Sequence, residues 1–168
     1  EIIRLQVEQV SKGQMQVAAF LQEIVNETGL LIEREVGVLG FSHLTLQEYL
    51  AACHIKEWEA LLDSLTAQIH NSWWRECIRL YCAQTDATGI VQACIEAIQA
   101  DYSDTAPFTL GVECLAESLT IQPEIAQAFD EMIKKGVEND QPEIAKYFQQ
   151  GKLDLRISRM VRIEDNLY

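Results

Sequence analysis

Positive charge is scarce in this chain of 168 residues, where 13 Lys and Arg stand against 26 Asp and Glu for a formal net charge of −13. From Leu80 to Ile133 there is no cation at all, while Asp86, Glu96, Asp101, Asp104, Glu113, Glu117, Glu124, Asp130 and Glu131 all fall there. Such a stretch repels phosphate backbones and anionic lipid, so neither nucleic acid nor a membrane is an expected partner. Proline (3) and glycine (8) are rare and 48% of residues are hydrophobic, a composition that fills a core and excludes a disordered chain. The five cysteines are an odd number, and no apolar run opens the sequence. A disulfide framework is therefore not expected, and a reducing cytoplasm is the expected compartment. No window reaches the ~20 apolar residues of a membrane span. Phosphate-binding loops are missing too: the one Gly-Lys pair, Gly151-Lys152, is followed by Leu153 and lacks the earlier glycine of that motif, so nucleotide hydrolysis is not expected of this chain. It starts at Glu1-Ile2-Ile3, without Met and already in an apolar rhythm, as a piece of a longer protein would.

What is present is mostly helical in period. Val17, Phe20, Leu21 and Ile24 follow the i, i+3, i+4, i+7 rule, which predicts an amphipathic helix from Met15 to about Thr28 ended by Gly29. Two short runs, Leu30–Glu35 and Leu39–His43, flank Val36-Gly37-Val38 and predict a β-hairpin over residues 31–43. Thr45-Leu46-Gln47-Glu48 matches a capping box, in which a hydroxyl and a carboxylate each satisfy an orphan amide at a helix start. Downstream, apolar stripes recur at Trp58/Leu61/Leu62/Leu65/Ile69, Trp74/Cys77/Ile78/Tyr81/Cys82, Ile90/Val91/Cys94/Ile95/Ile98, Phe108/Val112/Leu115/Leu119 and Ile125/Phe129/Met132/Ile133. Their short polar breaks predict helices packed as antiparallel hairpins. One echo is close: Gln122-Pro123-Glu124-Ile125-Ala126-x-x-Phe129 returns as Gln141-Pro142-Glu143-Ile144-Ala145-x-x-Phe148. Proline in a first helical turn costs no hydrogen bond, so both segments are expected to open helices, and their spacing is about half the period of two-helix repeats. The tail through Leu153, Ile157, Met160 and Val161 alternates at first but also fits a helix.

Few residues carry chemistry. Cys53, His54, His70, Cys77 and Cys82 have the ligand types of a zinc site, but the i, i+5 spacing of Cys77 and Cys82 is not that of a knuckle and both lie on an apolar stripe, where a thiol behaves as a small hydrophobe. Metal is therefore not expected, and a Cys–His nucleophile is the reading of a different class. Glu33 and Glu35 share one face of the first strand and read as a solvated pair. His43 stands apart at the strand-to-helix junction.

Residues 17–57 resemble the winged-helix segment of NACHT-type STAND NTPases. The likeness is carried by Gly29-Leu30-Leu31-Ile32-Glu33 and by Phe41-Ser42-His43-Leu44-Thr45-Leu46-Gln47-Glu48-Tyr49-Leu50-Ala51-Ala52: a glycine-ended helix, two short strands, F-x-H and a Q-E-Y-x-A-A helix. Trp74-Arg75-Glu76-Cys77-Ile78-Arg79-Leu80 is similar to the helix that opens the region after such a module, and Glu113-Cys114-Leu115-Ala116-Glu117 to later helices. The final thirty or so residues match nothing in the family.

Resemblance and periodicity together give a mainly α chain: a partial winged helix over 1–58, a helical-repeat-like array of hairpins over 59–151 and a tail of undecided structure over 152–168. The resemblance implies a non-catalytic regulatory or sensing region of a signalling NTPase, of a kind at work in immunity and bacterial defence. The nucleotide-binding domain of the same polypeptide, other proteins or a second copy would be its partners. It implies ATP or ADP with Mg in the parent and no cofactor here, with His43 touching a phosphate of ADP only in the presence of the missing domain; an imidazole N–H suits a phosphate oxygen. The helix from Thr45 to Trp58 carries Glu48 and Glu57 against Lys56, the wrong charge for a groove reader. A free-standing helical-repeat adaptor is the alternative.

Overall fold

The computed structural model describes residue 7, residues 12–13 and residues 16–165, with side chains as far as residue 158. The apolar rhythm of the opening residues 1–6 and the placing of Met160 and Val161 on a helix face lie outside what is described. The described chain is mainly helical, with one two-stranded antiparallel sheet, and divides into two compact units, Glu1–Gln47 and Glu48–Tyr168.

In the first unit, α1 (Val17–Glu23) continues into a wider π-type turn over Ile24–Thr28. Gly29 ends it with φ 64°, a left-handed backbone that glycine adopts without a Cβ penalty. Thr28 seals the exit, its hydroxyl donating to the Ile24 carbonyl at 2.7 Å and accepting from the Leu30 amide at 3.1 Å. Strands β1 (Leu31–Glu35) and β2 (Val38–Phe41) pair with Leu31 opposite Phe41 and Glu33 opposite Leu39. Gly37 at φ 77° turns the hairpin. Next, α2 (Leu44–Glu57) begins one residue ahead of the expected cap. The His43 carbonyl takes the Leu46 amide at 3.2 Å, and Thr45 lies inside the first turn. Glycine-ended helix, hairpin and following helix form a partial winged helix.

The second unit holds the core. A 3₁₀ turn (Glu59–Leu61) and the short α3 (Leu62–Thr66) replace the single helix expected over Trp58–Ile69; Trp58 leaves the predicted stripe for the surface at 57% exposure. Then come α4 (Arg75–Cys82), α5 (Thr88–Ala100), α6 (Thr105–Glu117), α7 (Pro123–Val137) and α8 (Pro142–Asp165). Helices α5 and α6 pack together, as do α7 and α8, across short loops at 101–104 and 138–141, which is hairpin geometry. Each hairpin also packs on the next, α5 against α7 and α6 against α8. Asp86 and Thr120 form a parallel bridge, and the Leu119 amide donates to the Cys82 carbonyl at 3.1 Å, tying the α4–α5 loop to the α6–α7 loop. Leu119 thereby falls outside α6 and is 67% exposed, against expectation. Both echoed segments begin helices at proline, and the tail continues α8 without a break.

The echo acquires a packing role. Phe129 and Phe148 are fully buried beside Phe108, and each of the three rings lies over a helical glycine on a neighbouring helix. A Cβ on Gly111 would stand 2.5 Å from Phe129 Cε2, one on Gly136 would stand 2.6 Å from Phe148 Cε1, and one on Gly151 would stand 2.5 Å from Phe108 Cε1. Helix α6 seats the ring of α7, α7 seats the ring of α8, and α8 seats the ring of α6. Phe108 and Phe129 stack with an interplanar angle of 2°, and the Phe108 and Phe148 centroids are 4.2 Å apart.

Candidate functional site

His43 sits where the hairpin ends. The Ser42 amide donates to the Leu30 carbonyl at 3.0 Å, so the ladder runs one step past β2 and delivers His43 to the first residue ahead of α2. Its carbonyl closes the first helical turn while the residue is solvent-exposed. His43 is thus exposed immediately ahead of a 14-residue helix, whose opening end carries partial positive charge. An imidazole N–H and helix-end amides together suit a phosphate oxygen.

Glu33 and Glu35 do not act as a pair. A bulge shifts the strand register between them, and the Glu33 carboxylate accepts the Gly37 amide at 2.8 Å, holding the turn. Arg34 donates to the Phe41 carbonyl at 3.0 Å and lies over Gly40.

The two downstream motifs noted in the sequence meet in the second unit. Arg75 forks onto Glu113, with Nε 2.8 Å from Oε2 and Nη2 on Oε1. Arg79 forks onto Glu117, with Nε 3.2 Å from Oε2 and Nη2 on Oε1, and also reaches Glu76 at 2.9 Å. The i, i+4 spacing on α4 matches that on α6, so the arginines and glutamates form two rungs between the helices. Arg75 is raised above its ordinary value chiefly by its bond to Glu113, and Arg79 by its bond to Glu117. Both cations of this motif are thus committed within the fold, and the arrangement locks α4 to α6.

The thiols are core residues. Cys77, Cys82, Cys94 and Cys114 are buried, and burial pushes Cys77 up to about 11 and Cys94 up to about 12. Cys114 is held well above the ordinary thiol value by its hydrogen bond with Cys82 and by burial. Protonated buried thiols are poor nucleophiles. His70 lies elsewhere, its Nδ1 2.7 Å from Asp104 Oδ2. Among the described residues no cluster of His, Cys, Asp or Glu has the grouping of a metal site, and no helix is long and apolar enough to cross a membrane.

Sequence reasoning missed the glycine–phenylalanine seats, whose signal was the coincidence of the echoed phenylalanines with helical glycines. Residues 3–55 match a family described as the winged helix-turn-helix domain C-terminal to NACHT. No curated protein and no solved structure matches the chain.

Proposed function

We propose that the chain, whose residues 3–55 match the winged-helix domain found C-terminal to NACHT, is the non-catalytic regulatory region of a NACHT-type signalling NTPase, in which the winged helix reads the nucleotide and the helices from α4 onward carry the consequence to protein contacts. One observation carries the reading: His43 is exposed immediately ahead of the first turn of α2, a position from which an imidazole N–H can serve a phosphate oxygen. In the parent, the nucleotide-binding domain of the same polypeptide would hold ADP or ATP with Mg, and His43 would donate to a phosphate oxygen in the closed state. Cytoplasmic signalling, including defence, is the setting this predicts. The free-standing adaptor draws only on the stacked hairpins and leaves His43 without a role.

The test replaces His43 by Ala in the parent protein. Losing one hydrogen bond to a charged acceptor removes about 1.5–3 kcal/mol, which shifts a closed–open equilibrium by roughly one to two decades. ADP should dissociate faster by that factor and signalling should leak. The same substitution should leave the melting temperature of the 168-residue chain unchanged. Wild-type ADP retention would refute the sensor role, and an unfolded variant chain would make His43 a structural residue.

A further inference from the structure

Between Lys134 and Arg156 five cations are interleaved with the acids Glu138, Asp140, Glu143 and Asp154, but the fold sorts them: Lys146, Lys152 and Arg156, with no acid among them, line an open groove of about 510 Å³ between the end of α7 and the face of α8, with Val137 and Leu153 among its walls. Lys152 and Arg156 also border a second hollow of about 170 Å³, which Lys134 and Asp130 join, so the groove and not this hollow is the acid-binding face. Leu153 is 50% and Ile157 52% exposed, and their i, i+4 spacing puts both on one face of α8, beside the cations.

We infer that this groove docks an acidic, amphipathic peptide segment of a protein partner, with leucine-like side chains on the Leu153–Ile157 ridge and carboxylates on Lys146, Lys152 and Arg156. Charge complementarity selects the acid, and the exposed ridge selects an apolar side chain next to it. An extended polyanion fits poorly: beyond the groove it meets a chain of net charge −13 whose residues 80–133 contain no cation, whereas a peptide can confine its carboxylates to the cations of the groove, the remaining charges being screened over ~8 Å at physiological salt. A lipid surface fits poorly as well, because only three cations line the groove itself, below the usual cluster of 4–8, and two aliphatic side chains insert little area. This gives the proposed regulatory arm a partner chemistry, and its test does not depend on nucleotide.

The probe is a fluorescein-labelled 15-residue peptide with Leu at i, i+4 and i+7 and Glu on the flanking positions, titrated with the full 168-residue chain in 0.15 M salt. Saturable binding is expected, weakened at least tenfold by Lys152→Glu with Arg156→Glu and at least threefold by Leu153→Ser. A peptide with Ser in place of Leu should bind at least fivefold more weakly. Duplex DNA of 20 base pairs and vesicles with 30% phosphatidylserine should not compete. Should the double charge reversal lower the melting temperature, Lys152→Gln alone serves, with a threefold loss expected. Absence of saturable binding, equal binding of the Ser peptide, insensitivity to the substitutions, or stronger binding to DNA or vesicles would each overturn the inference. Faster ADP loss from His43→Ala in the parent would stand whatever the peptide does.

Discussion

Replacing Gly136 by Ala sets two physical rules against each other. Helix propensity favours Ala over Gly by up to ~1 kcal/mol, less near a helix end, and Gly136 is the penultimate residue of α7. Packing opposes it, since the new methyl would stand inside 3.0 Å of Phe148 Cγ, Cδ1 and Cε1. Rotating the ring about its own axis leaves Cγ where it is, so relief needs a swing at χ1 or a parting of α7 and α8. Phe148 is 1% exposed, with Phe108 4.2 Å away and Tyr102 5.8 Å away between ring centroids, and the ring has no space to retreat the ~1 Å that restores a normal carbon contact. Overpacking of this kind costs about 1–3 kcal/mol. For a chain of this length each kcal/mol moves the melting temperature by roughly 2–4 °C, so a fall of about 2–12 °C is expected in thermal melts followed by circular dichroism. Gly89→Ala in α5 is the internal control. Its Cβ would meet nothing within 4 Å, and as the second residue of α5 it is equally near a helix end, so the same chemical change there should raise stability by under ~1 kcal/mol. If Gly136→Ala melts at or above wild type while Gly89→Ala behaves as expected, the ring-on-glycine packing is wrong.

Arg79→Met should destabilise by about 1–2 kcal/mol in urea titrations, and Arg75→Met by under ~1 kcal/mol, because Arg79 is the less exposed of the two and serves Glu117, Glu113 and Glu76; equal losses would refute the ranking. Stability should fall as pH rises above about 9, since the unfolded chain releases thiol protons there while Cys77 and Cys94 keep theirs to about 11 and about 12; fewer protons on the unfolded state means a negative slope, and a Cys94→Ala variant should show a shallower one. At pH 8 a maleimide should label Cys53 in the native protein and leave Cys82, Cys94 and Cys114 unmodified until denaturant is added, because Cys53 alone among the cysteines is partly accessible. In the parent, His43→Ala should release ADP one to two decades faster in a nucleotide-dissociation assay, as worked out above.

Local rules made much of this fold legible. Gly29 adopts the left-handed conformation that its place after an apolar helix implied, and the echoed prolines open α7 and α8 as their chemistry requires. His43 was singled out from its position between strand and helix, and it occupies that position, exposed. The errors came where a local signal competed with one from elsewhere in the chain. Thr45 offered a cap, yet the hairpin hands the chain over one residue earlier and the His43 carbonyl closes the turn. Trp58 continued an apolar stripe in sequence, but a 3₁₀ turn takes it out of the helix. The rungs between α4 and α6 are visible only as two separate i, i+4 pairs until the helices are brought together. Glycines at 111, 136 and 151 look like weak points in helices, and their purpose depends on rings drawn from other helices, which spacing along the chain cannot show.

The three seats also form a closed set. In a linear solenoid each helix offers a seat to its successor, and repeats can be added by duplication. Here the last seat, Gly151 on α8, is filled from behind by Phe108 of α6, so a helix following α8 would find no such place to dock its own ring. A further helix that used Gly151 as its seat would have to displace Phe108, and with it the stack against Phe129 and Phe148. Duplicating the echoed segment therefore does not by itself repeat the ring-on-glycine seat.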